Sequence, residues 1–171
     1  EFSKSSDLVL IYGSCDYIDA SGNKIGTNRS GPWALTLAKI GPFLAPQPGS
    51  LFDRRAFESI RGLDENFELA FDFDLFMSLS KQGEYKHLNK LLASYRWHED
   101  SLSVGRRRDS VREASKVRIK HASPALRAIL HFTNPIVAHA TFFAGQLLNS
   151  QLARRSEKIK TRQNYKDTQQ P

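Results

Sequence analysis

Residues Glu68-Leu-Ala-Phe-Asp-Phe-Asp-Leu-Phe-Met-Ser-Leu-Ser80 place an Asp-Phe-Asp pair directly before a helix-spaced apolar face. Leu75, Phe76 and Leu79 fall at offsets 0, 1 and 4, so one helical stripe can enter a core while Asp72 and Asp74 stand at its mouth. A carboxylate in the first turn of a helix has two ordinary jobs. Its oxygens accept from amides that lack an intrahelical partner, and its charge suits the positive end of the helix dipole. Asp72 can therefore be a cap and nothing more. What opens a second reading is the sequence on either side.

Upstream stand Leu44-Ala-Pro-Gln-Pro-Gly-Ser-Leu-Phe-Asp-Arg-Arg-Ala-Phe57 and Ile60-Arg-Gly-Leu-Asp-Glu-Asn-Phe67; downstream stands Leu92-Ala-Ser-Tyr-Arg-Trp-His-Glu-Asp-Ser-Leu-Ser103. Pro46 and Pro48 fix the backbone on both sides of Gln47, which presents that side chain in an extended setting suited to hydrogen bonding. Ser50 to Arg54 reads as a short strand, and Arg55 to Ile60 as a helical turn or two closed by Gly62. Residues Asp7 to Tyr12, bounded by Gly13, read as a buried strand. Asp16 to Gly26 carries Ser-Gly-Asn between alternating stretches, the composition of a hairpin, so Asp16 is either a turn residue or the lining of a cleft. Thr27 to Pro48 reads as a loop with one helical turn near Ala34 to Ile40, either covering a cleft or packed as a connection. Glu84 to Asn89 and Leu91 to His98 read as two short strands, the second central. Helix and strand alternate, which makes an α/β sheet with packed helices the economical solution.

The ordered series Gln-Pro turn, double Arg, Gly-Leu-Asp-Glu, Asp-Phe-Asp-Leu and Tyr-Arg-Trp-His resembles the acceptor half of family 2 glycosyltransferases of the GT-A fold. With Tyr12-Gly-Ser-Cys-Asp-Tyr-Ile-Asp-Ala-Ser-Gly-Asn23, the resemblance covers roughly residues 7 to 103. It implies a partial GT-A, Rossmann-like mixed sheet over residues 1–104, with flanking helices and a basic helical tail over 105–171. It further implies inverting transfer of a sugar from a nucleotide-sugar donor to a hydroxyl on a glycan or lipid-linked acceptor, in polysaccharide biosynthesis. Asp72 matches the general base. Gln47, Asp16, Asp74 and Arg96 match the acceptor side, and His98 lies where an imidazole borders the donor diphosphate and its divalent ion, Mg or Mn. The Asp-x-Asp element that holds this cation in the family, normally shortly before the segment matching Asp7 to Tyr12, is not in the sequence. The implied reading is a fragment whose donor-binding, N-terminal half is missing and which is inactive by itself. Two positions depart from the family: Phe71 replaces the acid that often precedes the base, and Ser78 an Arg in the following helix.

Composition bounds these readings. With 171 residues and 40% hydrophobic content, the chain suffices for one domain with a core. The net charge of +7 is uneven: through Val104 there are 11 Lys and Arg against 14 Asp and Glu, and from Gly105 onward 14 against 4. Cys15 is the single cysteine, which excludes an internal disulfide and a cysteine zinc site and agrees with a cytoplasmic location. Arg106 to His121 reads as a largely solvated basic helix, and Pro124 and Pro135 as the starts of two further helices. The last apolar run is too short to cross a bilayer. Flanked by cations, it suits an anionic membrane surface, or else packing on protein. Gln163 to Pro171 reads as a polar, disordered end. The competing reading is a basic module that binds nucleic acid or a membrane surface without catalysis, although no aromatics interleave with basic residues as nucleic-acid motifs require.

Overall fold

The computed structural model describes residues 2, 5, 7–98 and 101–168. It is a mixed α/β fold whose central strand is β1, Leu8–Ile18, and this strand is buried along almost its whole length. The strand marked by Asp7 to Tyr12 thus continues past Gly13 for five more residues. Among the described residues, four strands form one sheet. β2 (Lys24–Asn28) and β3 (Leu51–Phe52) pair antiparallel with different halves of β1, and β4 (Glu84–Arg96) runs parallel to all of it. The expected pair of strands after Gly83 is therefore one strand of 13 residues, and it is an edge strand rather than the central one. Its side chains are mostly exposed or half-buried, as one neighbour and one packed face require.

The hairpin from β1 to β2 closes on Asp19, whose carboxylate accepts from the Ser21 and Asn23 amides at 2.9 Å each. Tyr12 is fully buried and donates to the Gly31 carbonyl at 3.1 Å, which ties the following loop to the sheet; burial pushes its pKa up to about 12. α1 (Ala34–Ala38) supplies the helical turn expected there. The Pro-Gln-Pro loop lies flat on β4. Gly49, at φ +79°, has no room for a side chain, because a Cβ would stand 2.9 Å from those of Leu92 and Ala93. α2 (Arg54–Ser59) begins at Asp53, which caps the Ala56 amide at 2.9 Å, and ends in the left-handed residues Arg61 and Gly62.

α3 (Phe71–Leu79) is the helix of the Asp-Phe-Asp stretch. Leu75, Phe76 and Leu79 enter the main core with Val9, Leu10 and Tyr12, while Phe73 and Met77 face a second core. That second core is completed by the basic region. α5 (Arg107–His121), which follows the short α4 (Leu102–Gly105), is not a largely solvated helix: Val117 is 0% exposed and Arg118 2%. Among the described residues Arg118 has no acidic partner. Its guanidinium instead donates to Asn134 Oδ1 (2.8 Å), the Gly41 carbonyl (3.0 Å) and Ser115 Oγ (3.2 Å), which satisfies the buried charge with dipoles. The two helices expected from Pro124 and Pro135 are one, α6 (Pro124–Thr168), with Pro135 inside it. Leu130 and Asn134, both buried and one turn apart, hold the segment before the proline, and Asn134 donates to the Ser115 carbonyl on α5. Tertiary packing thus holds in place the turn that proline weakens. Residues Glu99 and Asp100 of the His-Glu-Asp segment, and 169–171 of the polar end, lie outside the described residues.

Candidate active site

The N-terminus of α3 opens on a cavity of about 700 Å3. Asp72, Gln47 and His98 all line it, each contributed by a different element: the helix, the Pro-Gln-Pro loop, and the residues just after β4. Cys15 and Tyr17 from β1, Tyr95 and Trp97 from β4 and its end, and Leu152 from α6 form apolar wall.

Asp72 is not the cap. The N-cap residue is Ala70, and the carboxylate that serves the amides here belongs to Glu113 of α5, which accepts from Leu69 N at 2.7 Å and Ala70 N at 3.0 Å. Asp72 stands two residues further on and half-buried, and accepts from the Phe73 amide at 2.8 Å. Burial pushes its pKa up to about 6 against that amide and its own. A carboxylate so placed is ionised at neutral pH and more basic than an ordinary aspartate, which is the compromise a general base requires.

The second carboxylate of the pair goes elsewhere. Asp74 is 3% exposed and accepts from His121 Nε2 at 2.7 Å and from Lys120 Nζ, which also reaches Asp64 at 2.8 Å. Burial pushes its pKa up, but the hydrogen bonds from His121 and Lys120 outweigh this and leave it below the usual carboxylate value. Asp74 does not line the cavity; it clasps α3 to α5. Nor do Asp16 and Arg96 line it. Asp16 is bound by Thr27 Oγ1 at 2.6 Å and Lys24 Nζ at 2.8 Å, and the Lys24 bond leads the lowering of its pKa. Arg96 donates to the carbonyls of Asp19 and Ala20 at 2.7 and 2.6 Å, which locks the β1–β2 hairpin. The expected acceptor-side set of Gln47, Asp16, Asp74 and Arg96 is thereby reduced, within this cavity, to Gln47.

His98 is exposed at the rim. Among the described residues no group of three or more His, Cys, Asp or Glu comes together that could hold a metal ion, and one imidazole is too few donors for Mg or Mn. The described residues alone do not make a site for a resident divalent cation.

The structure adds residues that the sequence motifs do not mark. Glu68 lines the cavity and is paired with Arg106 at 2.6 Å. Arg107 lines it too, with a buried Nε that has no hydrogen-bond partner, and burial lowers its pKa. A Cβ at Gly145 of α6 would collide with that guanidinium. Asn149 Oδ1 accepts from Trp97 Nε1 at 3.4 Å. Only the run Arg106-Arg-Arg108 hinted at this set, and a run of charges does not say which member turns inward.

The chain is 29% identical over 104 residues to a chondroitin synthase and to a hyaluronan synthase of Pasteurella multocida, and 28% identical over 104 residues to a chondroitin synthase of Escherichia coli. These are similarities to glycosyltransferases. Each covers 61% of this chain, which spans 11% of the length of the Pasteurella proteins and 15% of the Escherichia one. No family model matches the chain.

Proposed function

We propose that this chain is the acceptor side of an inverting, family 2 glycosyltransferase of the GT-A fold, with Asp72 as its general base. The observation that carries the reading is the half-buried Asp72 carboxyl in the wall of the 700 Å3 cavity, its basicity raised by burial and its capping duty taken by Glu113. A hydroxyl of the glycan acceptor gives its proton to Asp72 as its oxygen bonds to the anomeric carbon of a nucleotide-activated sugar. The bond from that carbon to the diphosphate breaks on the opposite face, so configuration inverts. Gln47 hydrogen-bonds a neighbouring acceptor hydroxyl, and Trp97 and Tyr95 offer flat apolar surface to sugar rings. General-base assistance of this kind contributes about 10^2- to 10^4-fold.

The deciding experiment is Asp72→Asn in the full-length protein, assayed for sugar transfer from nucleotide-sugar donors. Loss of transfer with the fold intact supports the base; full activity ends the proposal.

A second feature supports attachment to an anionic membrane surface. Ile129, Phe132, Ile136, Phe143 and Leu147 fall on one face of α6 at helical spacing and are 58% to 77% exposed, and Arg154 continues that face. No described helix is long and apolar enough to cross a membrane. Sedimentation with anionic but not zwitterionic vesicles, lost in Phe132→Ser/Phe143→Ser, is the expected result. Sedimentation unchanged by those substitutions counts against it.

A further inference from the structure

A second cavity, of about 660 Å3, lies between β2 and α6. Five of its lining side chains are cations, Lys24 and Arg29 from the β2 segment and Arg155, Lys158 and Arg162 from α6, and none is an acid. The α6 members recur at i, i+3 and i+7, one face of the helix. Two of the five are engaged: Lys24 with Asp16 at 2.8 Å, and Arg155 with the Ile25 carbonyl at 3.1 Å. Among the described residues Lys158 and Arg162 have no partner, while the charge of Arg29 reaches the Asp16 carboxylate only at longer range. Like charges gathered in one concave site repel, and such a site is favourable only when an anion enters it.

This cleft is not isolated from Asp72. Thr27 and Arg29 also line a third cavity of about 570 Å3, and that cavity shares Tyr17, Asn28 and Arg107 with the one holding Asp72. β2 is the common wall of all three. Arg107, whose buried Nε lacks an acceptor, stands where the first and third meet. Cations therefore recur along a continuous path, and the middle stretch has aromatic and aliphatic wall from Phe43, Tyr17 and Leu148. Repeated anionic groups carried on rings with apolar faces match that alternation. A nucleic acid fits it less well, since exposed bases stack on aromatics and here the cation-rich end offers none.

We propose that the β2–α6 cleft is a binding subsite for an acidic glycan, one bearing carboxylate or sulfate groups, whose acceptor end reaches Asp72 past Arg107. The proposal rests on the glycosyltransferase reading for its polarity, while binding itself does not require transfer. The test uses the full-length protein without donor and a fluorescent oligosaccharide with a carboxylate on alternate sugars, alongside the same oligosaccharide with its carboxyls reduced to alcohols. The charged oligosaccharide binds at least about tenfold more tightly than the reduced one, with affinity falling as salt rises. Arg29→Gln/Lys158→Gln/Arg162→Gln removes most of that preference and flattens the salt dependence, and Arg107→Gln lowers affinity separately. Equal binding of the two oligosaccharides, or an unaltered preference in a folded triple variant, overturns the proposal. So does displacement at equal or lower concentration by a monomeric short-chain anionic phospholipid or by an oligonucleotide of equal charge. Charge-selective binding together with full transfer by Asp72→Asn removes the base but keeps the cleft.

Discussion

Asp72→Asn is expected to make the protein both inactive and more stable. The carboxyl has its pKa pushed from 3.8 to about 6 by burial, so the folded state disfavours its charge. At about 1.4 kcal/mol per pKa unit, the full penalty above pH 6 is about 3 kcal/mol, and partial exposure reduces it to roughly 1–2 kcal/mol. Asparagine keeps an acceptor for the Phe73 amide and carries no charge. The variant should therefore gain that amount at pH 7.5, a Tm rise of roughly 2–8 °C for a chain of this size. The sign with pH is fixed. Because the folded pKa is the higher one, the penalty is complete above about 6, shrinks as pH falls towards 3.8 and is absent below it, so the stability advantage of the variant closes over that window. Denaturant titrations of both proteins between pH 3.5 and 7.5 measure it. An ordinary ionised cap gives no such gain: asparagine caps about as well as aspartate, and only the attraction between the charge and the helix dipole, about 0.3–1 kcal/mol, is lost. A variant that is less stable at pH 7.5, or whose advantage does not change with pH, refutes the reasoning. The same pKa predicts that kcat/KM of the wild type falls about tenfold per unit below pH 6.

Asp74→Asn breaks the clasp between α3 and α5, leaves Lys120 and His121 without their buried anion, and should cost about 3 kcal/mol by chemical denaturation. Its folded pKa lies below the ordinary one, so the wild-type advantage is complete above the ordinary carboxylate pKa and is lost as pH falls through the lower value. Glu113→Ala, which removes the acceptor for the Leu69 and Ala70 amides, should cost about 1–2 kcal/mol and lower transfer by loosening the turn that carries Asp72. Gly145→Ala drives a methyl group into the Arg107 guanidinium; a loss of roughly 1–3 kcal/mol is expected, and Arg107→Ala/Gly145→Ala should recover most of it in a double-mutant cycle.

The legible parts of this chain are those where chemistry is local. The branched run that opens β1, the hairpin around Ser21-Gly-Asn23, the Gly62 stop and the 0, 1, 4 apolar spacing of α3 each follow from a few consecutive residues, and each forms where the sequence places it. The Pro-Gln-Pro turn, Asp72 and His98 could likewise be picked out as candidates, and the fold brings the three to one cavity.

What sequence by itself determined is thus the class of elements and the residues around which chemistry could assemble. Tertiary structure decided which of two carboxylates two positions apart, Asp72 or Asp74, keeps an open face. Successive helical positions point about 100° from one another, and only the packing of α5 determines which direction meets Lys120 and His121 and which meets the cavity. It likewise turned Arg107 inward, drew Arg118 into a site without acids and placed the α6 cations opposite β2. Charge can be counted along a chain, but desolvation and the company a charge keeps are set by segments far away in sequence, and those two quantities fix what an ionisable group can do.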